Sequence, residues 1–501
     1  MKVTFRVDAS SEIGTGHISR CLNLAYELKR RGAKCNFISQ DMPEYFISQI
    51  KSQGHSHYSL RAANHFPAFN KDPIGLSCPA ESQLADAQKT LNLIADDIQD
   101  WIVVDHYSLD INWELRVKCS SKRLMVIDDM ANRQHACELL LDQNMQDKKQ
   151  SRYREKVGQN CKTLLGPKFA LLRSEFSELH KVALERSGQI HRILIFFGGV
   201  DSKNHTIEAM NALINLRIEV SVDVVIGLQH PFIDDVKKLC SQHAFSLHIQ
   251  TKRMAELILQ SDLCIGSGGV VTWERCCLGL PSLTYAIAEN QEEVVRVAAL
   301  NGLIYAPNPT DFLGDSIELH LRVLLENQNI LKLISSNGIN AVDGNGAKRV
   351  AQAMGVSPLK LRQALETDCE SIFEWRNHPD VNKFSKNQKR IDYVDHFNWF
   401  NSVIASDRTF LLIGASQAES IGVIRFDVDE FKAYISIYVV PGVEHFGAGT
   451  DLLMAAEEWL KEQRPEVTLL RAEVLRENMR SQHFFSKNGY QALPLNFEKK
   501  V

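Results

Sequence analysis

KVTFRVDASSEIGTGHISRCLNLAYELKRRGAKCNFIS, residues 2–39, is the stretch whose reading decides the fold. KVTFRVD reads as a short strand and ASSEIGTGH as a loop. ISRCLNLAYELKRRG has the apolar spacing of an amphipathic helix, closed by Gly32 at the position where helix C-termini favour glycine. KCNFIS is a second strand. Strand, loop, helix and strand in that order begin a parallel α/β sheet. Two later runs, WIVVD at 101–105 and LMVIDD at 124–129, are nearly continuous in apolar residues. Strands covered on both faces have that character. Each ends in acidic residues, at the sheet edge where such folds carry their chemistry.

Residues 150–190 are charged and read as helical, with GPKFALLRSEF as a crossover. A second parallel sheet is expected from HRILIFFGG (191–199), VSVDVVIG (220–227), DLCIGSGG (262–269) and PSLTYAI (281–287), with a last helix around NGAKRVAQAMG. The pattern changes near VSPLK (356–360). KLRQALETDCESIFEWRN then reads as strand and helix, and TFLLIGA, SIGVIRFDV and AYISIYVV as antiparallel strands. The expected architecture is α/β: two Rossmann-like domains, 1–160 and 161–356, in a GT-B arrangement with ligands between the carboxyl ends of the two sheets, then an α+β domain at 357–501.

Bulk properties narrow the function. The chain has 501 residues, 44% hydrophobic and 24% charged, with a net charge of −4. That suits about three globular domains. Basic residues are scattered, so no nucleic-acid partner is expected. MKVTFRVDAS is no signal peptide, and no run approaches the length of a membrane span, so a cytoplasmic location is expected. The 11 cysteines include no C-x-x-C pair and read as reduced thiols. No spaced His/Cys/carboxylate cluster calls for a metal.

Gly14 and Gly16 flank Thr15 just before the first helix. Glycines there let backbone N–H groups approach a ligand, and the helix N-terminus favours negative charge. An ordinary strand-to-helix turn needs the same residues. His17, in the first helical turn, adds a group able to take a proton from water near neutral pH. A lone histidine there is as readily a cap or core residue; beside this loop it reads as a catalytic base.

RVDASSEIGTGHISRCLNLA closely resembles the UDP-2,4-diacetamido-2,4,6-trideoxy-β-L-altropyranose hydrolases of pseudaminic acid biosynthesis, hydrolytic relatives of MurG-like glycosyltransferases. The resemblance continues in order through VVDHYSLDINWE, IDDMANRQHACELLLDQN, LLGPKFALLRSEF, FFGGVDSKNHT and GSGGVVTWERCCLGLPS, covering roughly residues 1–355. It implies that His17 activates water and that Asp105, His106 and Tyr107 line the sugar site, with Tyr107 donating a hydrogen bond or positioning water. Tyr107 also reads as an aromatic residue under a loop. Arg6 and Asp8 match the R-x-D strand end, with structural or water-positioning roles.

In the second sheet Gly268 and Gly269 would seat the phosphates of UDP at a helix start. By resemblance to MurG-like enzymes Glu274 would accept from both ribose hydroxyls, a task suited to a carboxylate. Glu274 also complements the helix dipole, and both roles can hold. The resemblance places Asn290 and Gln291 near the sugar. Gly198, Gly199 and Asp201 form another loop toward the cleft, and Met254 lies where uracil would meet backbone.

AYISIYVVPGVEHFGAGTDLLMAAEEWL (433–460) resembles motif A of the GNAT acetyltransferases, and RAEVLRENMRSQHFFSKNGY (471–490) resembles motif B. The resemblance implies acetyl-CoA held by Val439, Gly447, Ala448, Gly449, Thr450 and Asn478. Two departures stand out. Glu444 opens motif A where glutamine or arginine is usual, and Phe485 stands where many relatives carry the tyrosine that protonates the thiolate. Arg376 and Asn377 read equally as substrate contacts or a solvated helix end. A UDP-amino-sugar is the expected substrate, hydrolysed without a metal by the front part and acetylated by the back. A UDP-sugar glycosyltransferase, or a sugar-nucleotide binding protein with a degenerate acetyltransferase tail, is the alternative.

Overall fold

The computed structural model describes residues 1–10, 14–62, 80–94, 97–145, 152–307, 314–356, 359–384, 389–416, 419–443, 447–492 and 496–500. It divides into two compact units, Met1–Lys29 with Ala33–Val350, and Arg30–Gly32 with Ala351–Val501.

The first unit opens with β1 (Lys2–Val7), α1 (Gly16–Arg30), β2 (Lys34–Ser39), α2 (Glu44–Ser52), β3 (Ser56–Ser59), α3 (Ala80–Leu93), β4 (Gln99–Asp105), α4 (Ile111–Val117), β5 (Ser121–Ile127), β6 (Leu139–Asp142), β7 (Lys162–Leu165) and α5 (Ser174–His180). The strands form one parallel sheet in the order β3-β2-β1-β4-β5-β6-β7. Burial explains the apolar runs: Val3, Phe5 and Val7 of β1 are fully covered, and Phe5 stacks on Phe37 of β2. The stretch 150–190, read as helical, instead carries β7 and the short α5. Lys162–Leu165 gains its strand from pairing with β6, a long-range partner that local composition does not announce.

A second parallel sheet follows, built from β8 (Arg192–Phe196), α6 (His205–Leu216), β9 (Ser221–Ile226), α7 (Ile233–His243), β10 (Ser246–Ile249), α8 (Met254–Gln260), β11 (Leu263–Ser267), α9 (Val270–Cys277), β12 (Ser282–Tyr285) and α10 (Glu289–Leu300). Its order is β10-β9-β8-β11-β12. Helices α11 (Gly314–Glu326), α12 (Gln328–Ala341) and α13 (Gly346–Ala353) complete it. One apolar cluster covers each face, one around Trp273 and one around Ile193, Ile265 and Leu321. In both sheets the strand order reverses beside the first strand, between β1 and β4 and between β8 and β11. Loops at such reversal points form the ligand crevice of doubly wound folds.

The second unit holds β13 (Lys360–Gln363), α14 (Cys369–Asn377), α15 (Pro379–Asn382), α16 (Tyr393–Ile404), β14 (Thr409–Ser416), β15 (Glu419–Asp429), β16 (Lys432–Val439), α17 (Ala448–Gln463), β17 (Leu469–Glu473), α18 (Met479–Lys487), β18 (Gln491–Ala492) and β19 (Asn496–Lys500). Its sheet runs β13-β14-β15-β16-β17-β19-β18. All pairs are antiparallel except β16 with β17. That parallel pairing ends at Ile435 and Ala472, although β16 continues to Val439. Among the described residues no helix is long and apolar enough to cross a membrane.

Candidate functional sites

At the reversal point of the first sheet, β1 ends in Arg6 and Asp8, both buried. Arg6 donates to both Asp8 oxygens, at 2.7 and 3.0 Å, and to Asp86 of α3 at 2.7 Å. Trp113 Nε1 donates to the same Asp86 at 2.7 Å. Asp8 also accepts from the backbone N–H of Gln40 at 2.7 Å. Burial works against the Asp8 carboxylate, but the Arg6 charge and the His106 contact hold it well below the usual range. His106 Nδ1 accepts from the Ser108 amide at 3.0 Å, so its proton sits on Nε2, 3.1 Å from Asp8. Arg6, Asp8 and His106 are thus one tied frame at the strand ends.

His17 lies one step along that edge, 6% exposed in the first turn of α1. Its Nδ1 is 2.6 Å from Asp105 Oδ1 at the end of β4. Asp105 is ionised: burial opposes the charge, but Arg20 and His17 hold its carboxyl well below the usual range. An ionised carboxylate accepts only, so Nδ1 carries the proton and Nε2 keeps the lone pair. Tyr107 sets its ring edge-on to His17, with centroids 4.5 Å apart. Gly14 has φ +83°, in the region that favours glycine. Ser11, Glu12 and Ile13 of the loop lie outside the described residues.

Arg20 was not singled out in the sequence, yet it organises this edge. Its Nε and Nη2 grip Asp105 at 2.7 and 2.6 Å, and its Nη1 reaches Asp129 at 3.0 Å. The available signal was spacing: residues i and i+3 share a helix face, and Arg20 is three after His17.

In the second sheet, Gly268 and Gly269 connect β11 to α9. Gly269 has φ +97° and open space where a side chain would stand. A Cβ on Gly268 would meet Val295 Cγ2 at 2.5 Å, so glycine is required for α10 to pack there. Glu274 sits in the second turn of α9, 4.0 Å from Arg173 Nη2. Burial raises its carboxyl pKa and Arg173 opposes the rise. Asn290 and Gln291 fall in the first turn of α10. Gln291 Oε1 accepts from the Ile287 amide at 3.2 Å, and the Asn290 side chain lies outside the described residues. Asp201 accepts from the amides of His205 and Thr206 at 3.1 and 2.8 Å, holding the start of α6. Met254 is buried at the start of α8. The two halves of this unit meet through Asn23 to Leu171 O at 2.8 Å and Trp273 to Asn144 at 3.2 Å.

In the second unit Gly447 precedes α17 with φ +76°, and Ala448, Gly449 and Thr450 form its first turn. A Cβ on Gly449 would touch Phe484 at 3.2 Å and Val439 at 3.8 Å, which puts the end of β16 beside that turn. Asn478 caps α18, accepting from Ser481 N at 3.0 Å. Phe485 is 4% exposed and packs against Tyr490 and Phe497. Asn377 is fastened by reciprocal bonds with the backbone of Ile391, at 2.8 and 3.2 Å. Glu444 lies outside the described residues. Among the described residues no group of three His, Cys, Asp or Glu side chains is placed to hold a metal.

Comparison with known proteins follows this division. Residues 369–490 match the acetyltransferase (GNAT) family. An uncharacterized protein of Methanocaldococcus jannaschii is 23% identical over 521 residues, spanning 98% of this chain and 97% of its own length. A UDP-2,4-diacetamido-2,4,6-trideoxy-beta-L-altropyranose hydrolase of Campylobacter jejuni is 25% identical over 303 residues, 60% of this chain and 97% of that protein. Acetyltransferase PseH of the same species is 29% identical over 140 residues, 26% of this chain and 84% of that protein. Among solved structures, MurG of Acinetobacter baumannii gives a TM-score of 0.50 at 14% identity, covering 71% of this chain and 99% of that one. That likeness establishes the GT-B fold. The chain joins a GT-B portion similar to the hydrolase to a GNAT acetyltransferase domain similar to PseH.

Proposed function

We propose that the GT-B portion hydrolyses UDP-2,4-diacetamido-2,4,6-trideoxy-β-L-altropyranose to UDP and the free sugar. In this reading the GNAT domain acetylates the 4-amino group of the UDP-amino-sugar precursor. The observation that carries the first half is the His17–Asp105 pair, which commits one imidazole nitrogen to a carboxylate and leaves the other basic. His17 Nε2 takes a proton from water as the oxygen attacks the anomeric carbon and the bond to UDP breaks. UDP leaves as a stable anion, so no strong general acid is needed. A positioned base contributes ~10²–10⁴ in rate. Gly268 and Gly269 would receive the diphosphate, and Glu274 the ribose.

In the second half, the amine attacks the thioester carbonyl of acetyl-CoA. The C–S bond breaks, the amine loses a proton to solvent, and the thiolate regains one. Phe485 offers no hydroxyl, so water is the proton source; the modest basicity of a thiolate tolerates this. Val439 and the Gly447–Thr450 turn would hold the coenzyme. Fusing two steps on one UDP-sugar fits consecutive use of a shared substrate.

The test is UDP release from the sugar nucleotide with no added acceptor, in wild type and His17→Ala. Release by wild type that is lost in the variant supports hydrolysis. UDP release that depends on an added hydroxyl acceptor would favour glycosyl transfer instead.

A further inference from the structure

Side chains on β14–β16 alternate between two faces of the sheet. Leu412, Ile424, Phe426 and Ile435 join the cluster that includes Leu452 and Leu453 of α17. Leu411, Ile413 and Val423 join the cluster of α14 and α16, and Tyr438 packs against it. The alternation puts Arg425 on this second face, opposite the Gly447–Thr450 turn.

Three charged or polar groups meet there without the partners they need. Arg376 of α14 lies 4.5 Å from the ring centre of Trp399 on α16, and Arg425 of β15 lies 5.8 Å from it. Two guanidiniums therefore share one indole. Arg425 is held by Asp427 at 2.8 Å, while no carboxylate contact to Arg376 exists among the described residues. Burial and then the Arg425 charge push the Arg376 guanidinium down, with Tyr438 opposing. Arg425 Nε and the Tyr438 hydroxyl are both closed off from solvent without a hydrogen-bond partner among the described residues. Buried polar groups are ordinarily paired, and adjacent like charges are costly unless an anion joins them. Arginine forks and a phenol suit phosphate oxygens.

We propose that Arg376, Arg425 and Tyr438 bind the diphosphate of the nucleotide-linked amine, with Trp399 as the platform that holds the guanidiniums. The assignment rests on the reading of this domain as an acetyltransferase for a UDP-amino-sugar. It gives donor and acceptor opposite faces of one sheet. The coenzyme enters at the start of α17 and the sugar nucleotide on the α14–α16 side. Amine and thioester then meet where β16 and β17 cease to pair, beyond Ile435 and Ala472.

The test uses the full chain and follows release of free coenzyme A thiol, which UDP hydrolysis does not disturb. The acceptor is UDP-4-amino-4,6-dideoxy-β-L-AltNAc, with Arg376→Gln, Arg425→Gln and Tyr438→Phe compared with wild type. The expected result is a rise of about tenfold or more in the sugar-nucleotide KM for each arginine variant. The kcat and the acetyl-CoA KM should stay within about threefold, and Arg376→Lys should recover part of the loss. Tyr438→Phe removes only an unpartnered hydroxyl, so it keeps the fold and should raise the same KM. Inorganic pyrophosphate should compete with the sugar nucleotide in wild type and lose potency in the variants. A rise confined to the acetyl-CoA KM would assign these residues to the coenzyme's own phosphates and overturn the proposal, as would unchanged KM values. If wild type acetylates no such amine, the acetyl-transfer reading fails by itself. Calorimetric titration with pyrophosphate then decides the subsite. One site fewer in Arg376→Gln/Arg425→Gln than in wild type supports it, and equal stoichiometry overturns it.

Discussion

His17 Nδ1 and Asp105 Oδ1 stand 2.6 Å apart, and the same oxygen receives Arg20 Nη2 at 2.6 Å. One carboxylate therefore fixes the histidine's proton and neutralises a buried guanidinium. These two duties separate under mutation. His17→Ala is expected to slow UDP release ~10²–10⁴-fold with little change in melting temperature. Asp105→Asn is expected to lose both activity and about 3–5 kcal/mol of stability, because Arg20 is left short of a buried partner. UDP-release rates paired with urea unfolding check this; an Asp105→Asn protein as stable as wild type would break the argument.

Glu274 is placed on α9 directly after the glycine turn, so its carboxylate should bind the ribose and not take part in bond breaking. Glu274→Ala is expected to raise KM for the UDP-sugar by about 10–100-fold, the loss of one or two hydrogen bonds to a charged group, while kcat changes little. Steady-state kinetics at varied substrate settles it. A fall in kcat at unchanged KM would move Glu274 into the chemistry.

His135 offers a pH signature away from the candidate site. Burial opposes its charged form, but Asp128 and Glu114 outweigh burial and push its pKa up to about 9. Its Nδ1 lies 2.6 Å from Glu114 Oε1. Because the folded pKa is above the unfolded value of about 6.5, the added stability is complete below that pH. It disappears as pH rises from about 6.5 through 9, with a total on the order of 3 kcal/mol. Urea midpoints measured from pH 6 to 10 should fall across that window in wild type. The fall should be shallower in His135→Gln.

Phe485 occupies the place where a proton-donating tyrosine would be sought, yet it is packed between Tyr490 and Phe497. Phe485→Tyr would bury a hydroxyl in this cluster. The expected outcome is no gain in acetyl-transfer rate and a loss of about 1–3 kcal/mol in stability. A variant that is faster and equally stable would show that the ring can reach the thiolate.

Long buried strands such as Ile102–Val104 were legible because burial on both faces leaves an unbroken apolar run. Short edge strands were not. Lys162 and Thr163 of β7 are exposed, and Ser246–Ile249 of β10 is only partly covered, so neither carries a period that composition reveals. In the candidate site, His17 and Asp105 were each visible beside a glycine loop or at a strand end. Their pairing was not, since 88 residues separate them. Arg20 and Asp86 escaped notice for the same reason: their partners lie 85 and 80 residues away and arrive only through the sheet order. Asn478 and Asp201 were legible as polar motif residues, but the sequence did not show that their side chains hold helix starts.

The early end of pairing between β16 and β17 has a consequence for handling the protein. A sheet that parts in its interior leaves strand edges where another chain can add a strand. A coenzyme lying in the gap would cover those edges and keep molecules from joining there. Self-association of the purified chain should accordingly fall when acetyl-CoA is present, making the coenzyme a guard against aggregation as well as a reactant.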